Sequence, residues 1–159
     1  MTKRGAIVYA ALLVAAVSLW LFTHSERAQI KRVFADVERL AAKEQSEPVF
    51  ESVARAQALS RHFKDGCQIV HLGYGLEATY SRENIAGGLL SFRSTAGKIA
   101  VTFRKLDVSV DGEVARVEGW CDYSGSDSTW HGFSPRVDSF LASLEKSDGQ
   151  WRISRIKFP

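Results

Sequence analysis

From Glu26 to Gln45 the apolar residues Ile30, Val33, Phe34, Val37, Leu40 and Ala41 follow the i, i+3, i+4, i+7 spacing that lays one face of a helix against a core. Ser46 is then in place as an N-cap, Glu47 and Pro48 suit a first turn, and Val49, Phe50, Val53, Ala56, Leu59 and Phe63 carry a second amphipathic stripe up to Asp65-Gly66. Cys67 to Leu72 is short and rich in β-branched residues, Gly73-Tyr74-Gly75 is a turn, and Leu76 to Tyr80 completes a hairpin. Ser81 opens a third helix, SRENIAGGLLSF, with Glu83 in its first turn and Ile85, Leu89, Leu90 and Phe92 as its apolar residues, ending near Gly97. Gly87 and Gly88 inside it cost about 1 kcal/mol each relative to alanine unless something packs closely there.

At Lys98 the period changes from 3.6 to 2. Ile99, Val101 and Phe103 occupy odd positions, whereas Leu106, Val108 and Val110 occupy even ones, so one extra residue stands near Arg104-Lys105. That parity switch predicts a β-bulge and a bent strand. Asp111-Gly112 is a hairpin turn, after which Ala115, Val117, Cys121 and Tyr123 share one face and Arg116, Glu118, Trp120 and Asp122 the other. Beyond the SGSDSTWHGFSP loop, a strand is expected over Val137 to Lys146, a turn at Asp148-Gly149, and a last strand over Trp151 to Phe158 with a second parity switch near Ser154-Arg155. Helix, helix, hairpin, helix and four long strands make an α+β domain in which helices cover one face of a curved sheet.

In front of this domain, Gly5 to Phe22 is free of charge over 18 residues. As a helix it spans about 27 Å against a hydrocarbon core of about 30 Å. A cleaved signal peptide is the rival reading, but the run ends in Leu19, Trp20, Leu21 and Phe22, with only Thr23-His24-Ser25 as a poor cleavage site. The expected organisation is a cytoplasmic tail over 1–4, a single-pass anchor over 5–22 and a domain over 26–159. A short tail with Lys3, Arg4 and no acid favours the amino terminus inside, which places the domain on the extracytoplasmic side of the cytoplasmic membrane.

Charge is interpretable only once located. The net +3 divides into +2 for residues 1–25, +2 for residues 26–64 (8 bases, 6 acids) and −1 for residues 65–159 (11 bases, 12 acids). No basic face emerges from the strands, whose bases alternate with acids, and no nucleic acid partner is expected. His24, His62, His71 and His131 lie in separate segments without ligand spacing, and neither cysteine has a C-x-x-C partner, so no metal or cofactor is expected. Outside the cytoplasm Cys67 and Cys121 are available for a disulfide worth about 4 kcal/mol by chain entropy.

The SRENIAGGLLSF helix after a short hairpin, the VSVDGEVARVEG turn and the closing LEKSDGQWRISRIKF resemble the nuclear transport factor 2-like superfamily, the cystatin-like cone shared by SnoaL-type and ketosteroid-isomerase-type proteins. The resemblance covers roughly residues 27–158. It implies three helices on a curved, mixed six-stranded sheet enclosing a pocket that serves catalysis, ligand binding or assembly. Fold does not decide among these. With an anchor in front, the layout is also similar in topology to extracytoplasmic assembly factors of bacterial envelope machines such as type IV secretion systems. The superfamily's first strand lies beside its last, which leaves Cys121 three strand spacings, about 14 Å, from Cys67 and beyond the roughly 7 Å limit for bridging.

In isomerase-type members an aromatic hydroxyl from the first helix works with acids of the sheet. Tyrosine occurs here only at 9, 74, 80 and 123, so that pairing does not carry over. A substitute set is His71 as base with Tyr74, Asp122 and Tyr123, although strand alternation sends Asp122 and Tyr123 to opposite faces. The residues expected to line a ligand pocket are His71, Tyr74, Phe103 and Tyr123. Trp120 on a polar strand face, with Trp130 and Phe133 in a Gly/Ser-rich loop, are the expected interface residues. The functional expectation is a non-catalytic module that binds a small apolar ligand, an envelope protein or a second copy of itself, with a small acid–base pocket enzyme as the alternative.

Overall fold

The computed structural model describes residues 25–127 and 133–159, together with 12–14, 17–18 and 21 of the apolar N-terminal run. Among the described residues no helix is long and apolar enough to cross a membrane. Most of the anchor expected over 5–22, and Trp130 of the expected interface, lie outside them.

Helix α1 (Glu26–Ala41) begins at Ser25, whose hydroxyl accepts from the Ala28 N–H at 3.2 Å. Its stripe is the one the sequence marks: Ile30 and Phe34 are fully buried, with Val33, Val37, Leu40 and Ala41 beside them. It ends four residues earlier than expected because Ala42 turns extended and Lys43 exchanges two backbone hydrogen bonds with Ile99, at 2.9 and 3.0 Å. Helix α2 (Val49–Ser60) departs further from expectation. Pro48, not Ser46, occupies its N-cap, and the buried positions are Ser52, Ala56, Leu59 and Ser60, while Val49 and Phe50 stand in solvent. The helix is turned this way because Glu47, two residues ahead of its first residue, is drawn inward to Arg93 and accepts the Ser52 hydroxyl. Phe63 is also no part of the helix. It starts strand β1 (Phe63–His71), lying parallel to Ile153.

Strand β1 pairs with β2 (Leu76–Tyr80) as the expected hairpin, the connection being a 3-10 turn, Leu72–Tyr74, closed by Gly75 in the left-handed region. Helix α3 (Arg82–Thr95) is capped by Ser81, whose hydroxyl accepts from the Asn84 N–H at 3.1 Å. Contrary to the sequence reading, Phe92 is exposed and the one buried residue of this helix is Arg93. A Cβ added at Gly87 or Gly88 meets nothing within 4 Å. Gly87→Ala and Gly88→Ala are therefore each expected to stabilise the domain by about 0.5–1 kcal/mol, read as a rise in midpoint by thermal unfolding.

Strands β3 (Ala96–Asp111), β4 (Val114–Asp127), β5 (Phe133–Ser147) and β6 (Gln150–Phe158) follow, and the sheet order is β2-β1-β6-β5-β4-β3. Every neighbouring pair is antiparallel except β1 with β6. Both parity switches are bulges. The β3–β4 register shifts between Arg104 and Asp107, with Lys105 at φ 53°, and the β5–β6 register moves from Ser143↔Arg155 to Leu144↔Ile153, leaving Ser154 as the extra residue. These bends curl the sheet around α1, so Val108, Val117, Ala142, Leu144 and Ile153 meet the helix stripe in one core.

A buried ionic clamp joins the ends of the helices. Arg93, fully enclosed, donates Nη1 to the carbonyls of Leu40, Ala41 and Ala42, which α1 leaves open at its C-terminus, and Nη2 to both oxygens of Glu47. Lys43 returns the contact by donating Nζ to the carbonyls of Arg93 and Ala96 at the end of α3.

Candidate functional site

Alternation on the curved sheet separates two surfaces. The concave face carries odd-numbered β4 residues and even-numbered β5 residues, since Cys121 pairs with Asp138 and Tyr123 with Arg136. Its middle is occupied by rings. Phe34 of α1 meets Phe103 edge-on at 5.2 Å between centroids, Phe140 lies 5.6 Å from Phe34 and 5.3 Å from Phe103, and Phe158 continues the row 6.3 Å beyond Phe140. Phe103, expected as pocket lining, is thus part of a packed cluster. Three clefts formed by the described residues open elsewhere, on the outer face of the sheet, between α1 and α2, and at the α1–α2 connection.

At the rim of the same face His71, at the end of β1, stacks on Phe158 with centroids 5.5 Å apart and lies 4.4 Å from the Tyr74 ring. Gly73 makes room for it: a Cβ there would stand 3.3 Å from His71 Cε1. His71 Nδ1 is buried without a hydrogen-bond partner. Arg136 donates Nη1 to the Tyr74 hydroxyl, and the Tyr123 hydroxyl donates to Asp138 Oδ2 at 2.8 Å. Burial, and then the Asp138 carboxylate, push the Tyr123 phenol up to about 12, so it remains a protonated donor through the neutral range. Deeper in, Glu38 of α1 accepts the Phe103 N–H at 3.0 Å. The rim can therefore offer hydrogen-bond donors and acceptors to a polar group, with rings behind them.

His71, Tyr74 and Tyr123 stand at one rim, Asp122 and Tyr123 face opposite ways as strand alternation requires, and the carboxylate beside Tyr123 is Asp138. Asp122 points to the opposite face, where it pairs with Arg104. The acid that meets Tyr123 is Asp138, and its signal was available: a carboxylate in the apolar phase of a strand, two residues before Phe140 and in step with Ala142 and Leu144.

On the outer face Trp120 is 45% exposed, with Arg104 and Ser139 as its cross-strand neighbours and Val137, 53% exposed, on the diagonal. A cleft of about 550 Å³ runs beside it between Lys105, Asp107, Arg116, Leu141, Lys157 and Pro159. Phe133 pairs through its backbone with Gly125 at the start of β5.

Cys67 and Cys121 are both free and buried, on β1 and on β4 with β6 and β5 between them. Burial raises the Cys67 thiol to about 11, and burial together with Asp122, Asp138 and Glu38 raises that of Cys121 to about 12. Neither is a nucleophile at neutral pH. Folded protein at pH 8 should resist alkylation by iodoacetamide, and denatured protein should take up two labels by mass spectrometry; rapid double labelling of the folded chain would contradict this burial. Among the described residues no cluster of three or more His, Cys, Asp or Glu is placed to hold a metal.

No protein-family model matches the chain, and no curated protein matches it. Solved structures do. A provisionally assigned scytalone dehydratase from Novosphingobium aromaticivorans superposes with TM-score 0.68 at 15% identity, covering 84% of this chain and 82% of the other. A nuclear transport factor 2-like protein with a cystatin-like fold from the same organism gives TM-score 0.63 at 19% identity, over 92% and 86%. The Kfla4162 protein of Kribbella flavida gives 0.69 at 14%, over 84% and 88%. At these identities the likeness is one of fold: the domain is an α+β, six-stranded nuclear transport factor 2-like, cystatin-like cone.

Proposed function

We propose that the chain is a membrane-anchored, extracytoplasmic module that acts by binding and not by catalysis, and that it pairs with a second copy of itself through the outer face of its sheet. The observation that supports this most directly is the contrast between the two faces: the interior is filled by Phe34, Phe103 and Phe140, while Trp120 and Val137 stand in solvent on the other side. A large aromatic on a strand face that none of the described elements covers is a contact in waiting. The face also carries both signs in near balance, Arg104, Lys105, Arg116 and Lys157 against Asp107, Glu118 and Asp122. Two copies related by a two-fold axis can then oppose unlike charges. The anchor over 5–22 and the extracytoplasmic placement are part of this reading and rest on the apolar run and on the short acid-free tail with Lys3 and Arg4.

Light scattering of the full chain in dodecyl maltoside is expected to give a dimer, and Trp120→Glu a monomer with an otherwise unchanged circular dichroism spectrum. An unchanged elution volume and an unchanged thermal midpoint would remove this face from consideration.

A second reading, acid–base chemistry on a small molecule at the rim, is favoured by the Tyr123–Asp138 hydrogen bond beside His71 and Tyr74, and a neighbour in fold carries a provisional dehydratase assignment. A small apolar ligand lying on the same rings is the non-catalytic form of that reading. Mass spectrometry of the protein purified from membranes distinguishes them from the dimer, since a co-purifying small molecule lost in Tyr123→Phe would favour the rim.

A further inference from the structure

Part of the excess of base in residues 26–64 is gathered by the fold. Of the six acids in that stretch, Glu26 accepts from Lys146 and Trp151, Glu38 from the Phe103 N–H, Glu47 from Arg93, and Glu51 from Arg55, while Glu44 lies 3.8 Å from Lys98. The sixth, Asp36, pairs with Arg39 at 3.1 Å and lies 4.0 Å from His62. Arg32 and Arg61 are left without an acid partner among the described residues. Both line one cleft of about 580 Å³, between α1, the end of α2 and the β5–β6 turn, together with Arg39 and His62.

The cleft has the makings of a site beyond its charge. Val33, Leu40 and Trp151, all buried, form an apolar wall, and the bases stand around it. Three guanidinium groups against one carboxylate leave a surplus of two positive charges. Guanidinium is the cation best matched to phosphate, offering paired N–H donors in a planar fork. Burial lowers the His62 pKa, leaving the ring largely neutral at pH 7 as a further hydrogen-bonding group in the cleft.

We infer that this cleft binds a phosphate-bearing anion through Arg32, Arg39 and Arg61. Phosphate of this kind is carried by an acidic lipid headgroup or by a soluble metabolite, and the recognising chemistry is the same. The cleft lies on a different surface from the sheet face around Trp120, so its failure would leave the dimer reading untouched, and the reverse.

The test is calorimetric titration of inorganic phosphate into the full chain in dodecyl maltoside, which contains no phosphate, with sodium chloride of equal ionic strength as the blank. Saturable binding is expected, weakened at least tenfold by Arg32→Glu and by Arg61→Glu. Lys98→Glu, which changes net charge equally at an exposed site far along the chain, should leave it unchanged, and Arg32→Gln guards against an artefact of charge reversal. Repeating the titration in mixed micelles with phosphatidylglycerol separates the sources: competition by the lipid identifies a headgroup site, and an unaltered affinity identifies a soluble ligand. Absence of saturable phosphate binding, or binding that falls equally with Lys98→Glu, would overturn the inference.

Discussion

Arg93→Ala is expected to destabilise the domain by about 3–5 kcal/mol, the cost of removing one member of a buried ion pair and leaving the other uncompensated. The loss has two parts. The carboxylate of Glu47, whose side chain is 5% exposed, keeps Arg55 at 3.2 Å and the Ser52 hydroxyl but loses its enclosed partner. The carbonyls of Leu40, Ala41 and Ala42 lose the donor that closes α1. If the ion pair dominates, the double variant Arg93→Met with Glu47→Gln should be less damaged than the sum of the two single changes, and denaturant unfolding of all four proteins measures that coupling. Strict additivity would assign the cost to the helix carbonyls alone.

The same pair imposes a pH dependence. Burial opposes ionisation of Glu47, but the hydrogen bonds from Ser52 and Arg93 and the charges of Arg93 and Arg55 outweigh it, so its pKa falls below the ordinary 4.5. A depressed carboxylate contributes stability that is complete above the unfolded-state value and is lost as pH falls through the folded-state one. Wild-type stability should therefore decline below about pH 4.5 more steeply than that of Arg93→Met.

Phe34→Ala is the second large effect, about 3–5 kcal/mol, or a fall of roughly 10–20 °C in thermal midpoint. Phe34 is fully buried and is the ring on which Phe103 and Phe140 converge. Its removal opens an apolar space where the cone is now filled, and a small aromatic such as benzene should raise the midpoint of the variant and leave the wild type unmoved. A loss below about 1 kcal/mol would mean that the interior is not held by this ring, and would revive the rim as the mouth of a pocket.

The sheet was legible in the sequence to a degree the helices were not. Two shifts of strand parity, at Arg104-Lys105 and at Ser154-Arg155, locate two of the register shifts of the sheet, and alternation alone sets Val117 and Cys121 on one face and Trp120 on the other. Ser81 caps its helix in the way its position suggests. The α2 stripe misled because Val49 and Phe50 have the right spacing and the wrong neighbours. Once Glu47 is held by Arg93, the helix cannot rotate to bury them.

What the chain determines by itself is local: the period of each element, its turns, the face of a strand on which a side chain stands, and the apolar run ahead of the domain. These follow from backbone geometry over a few residues, where Cβ direction repeats every 2 or 3.6 positions. What only the tertiary structure decides is partnership. Arg93 and Glu47 are 46 positions apart, Tyr123 chooses Asp138 over the adjacent Asp122, and Arg32 of α1 and Arg61, just past the end of α2, reach one cleft. Charges and hydrogen bonds act through space, so their pairing is written by the packing of elements that a one-dimensional pattern does not order.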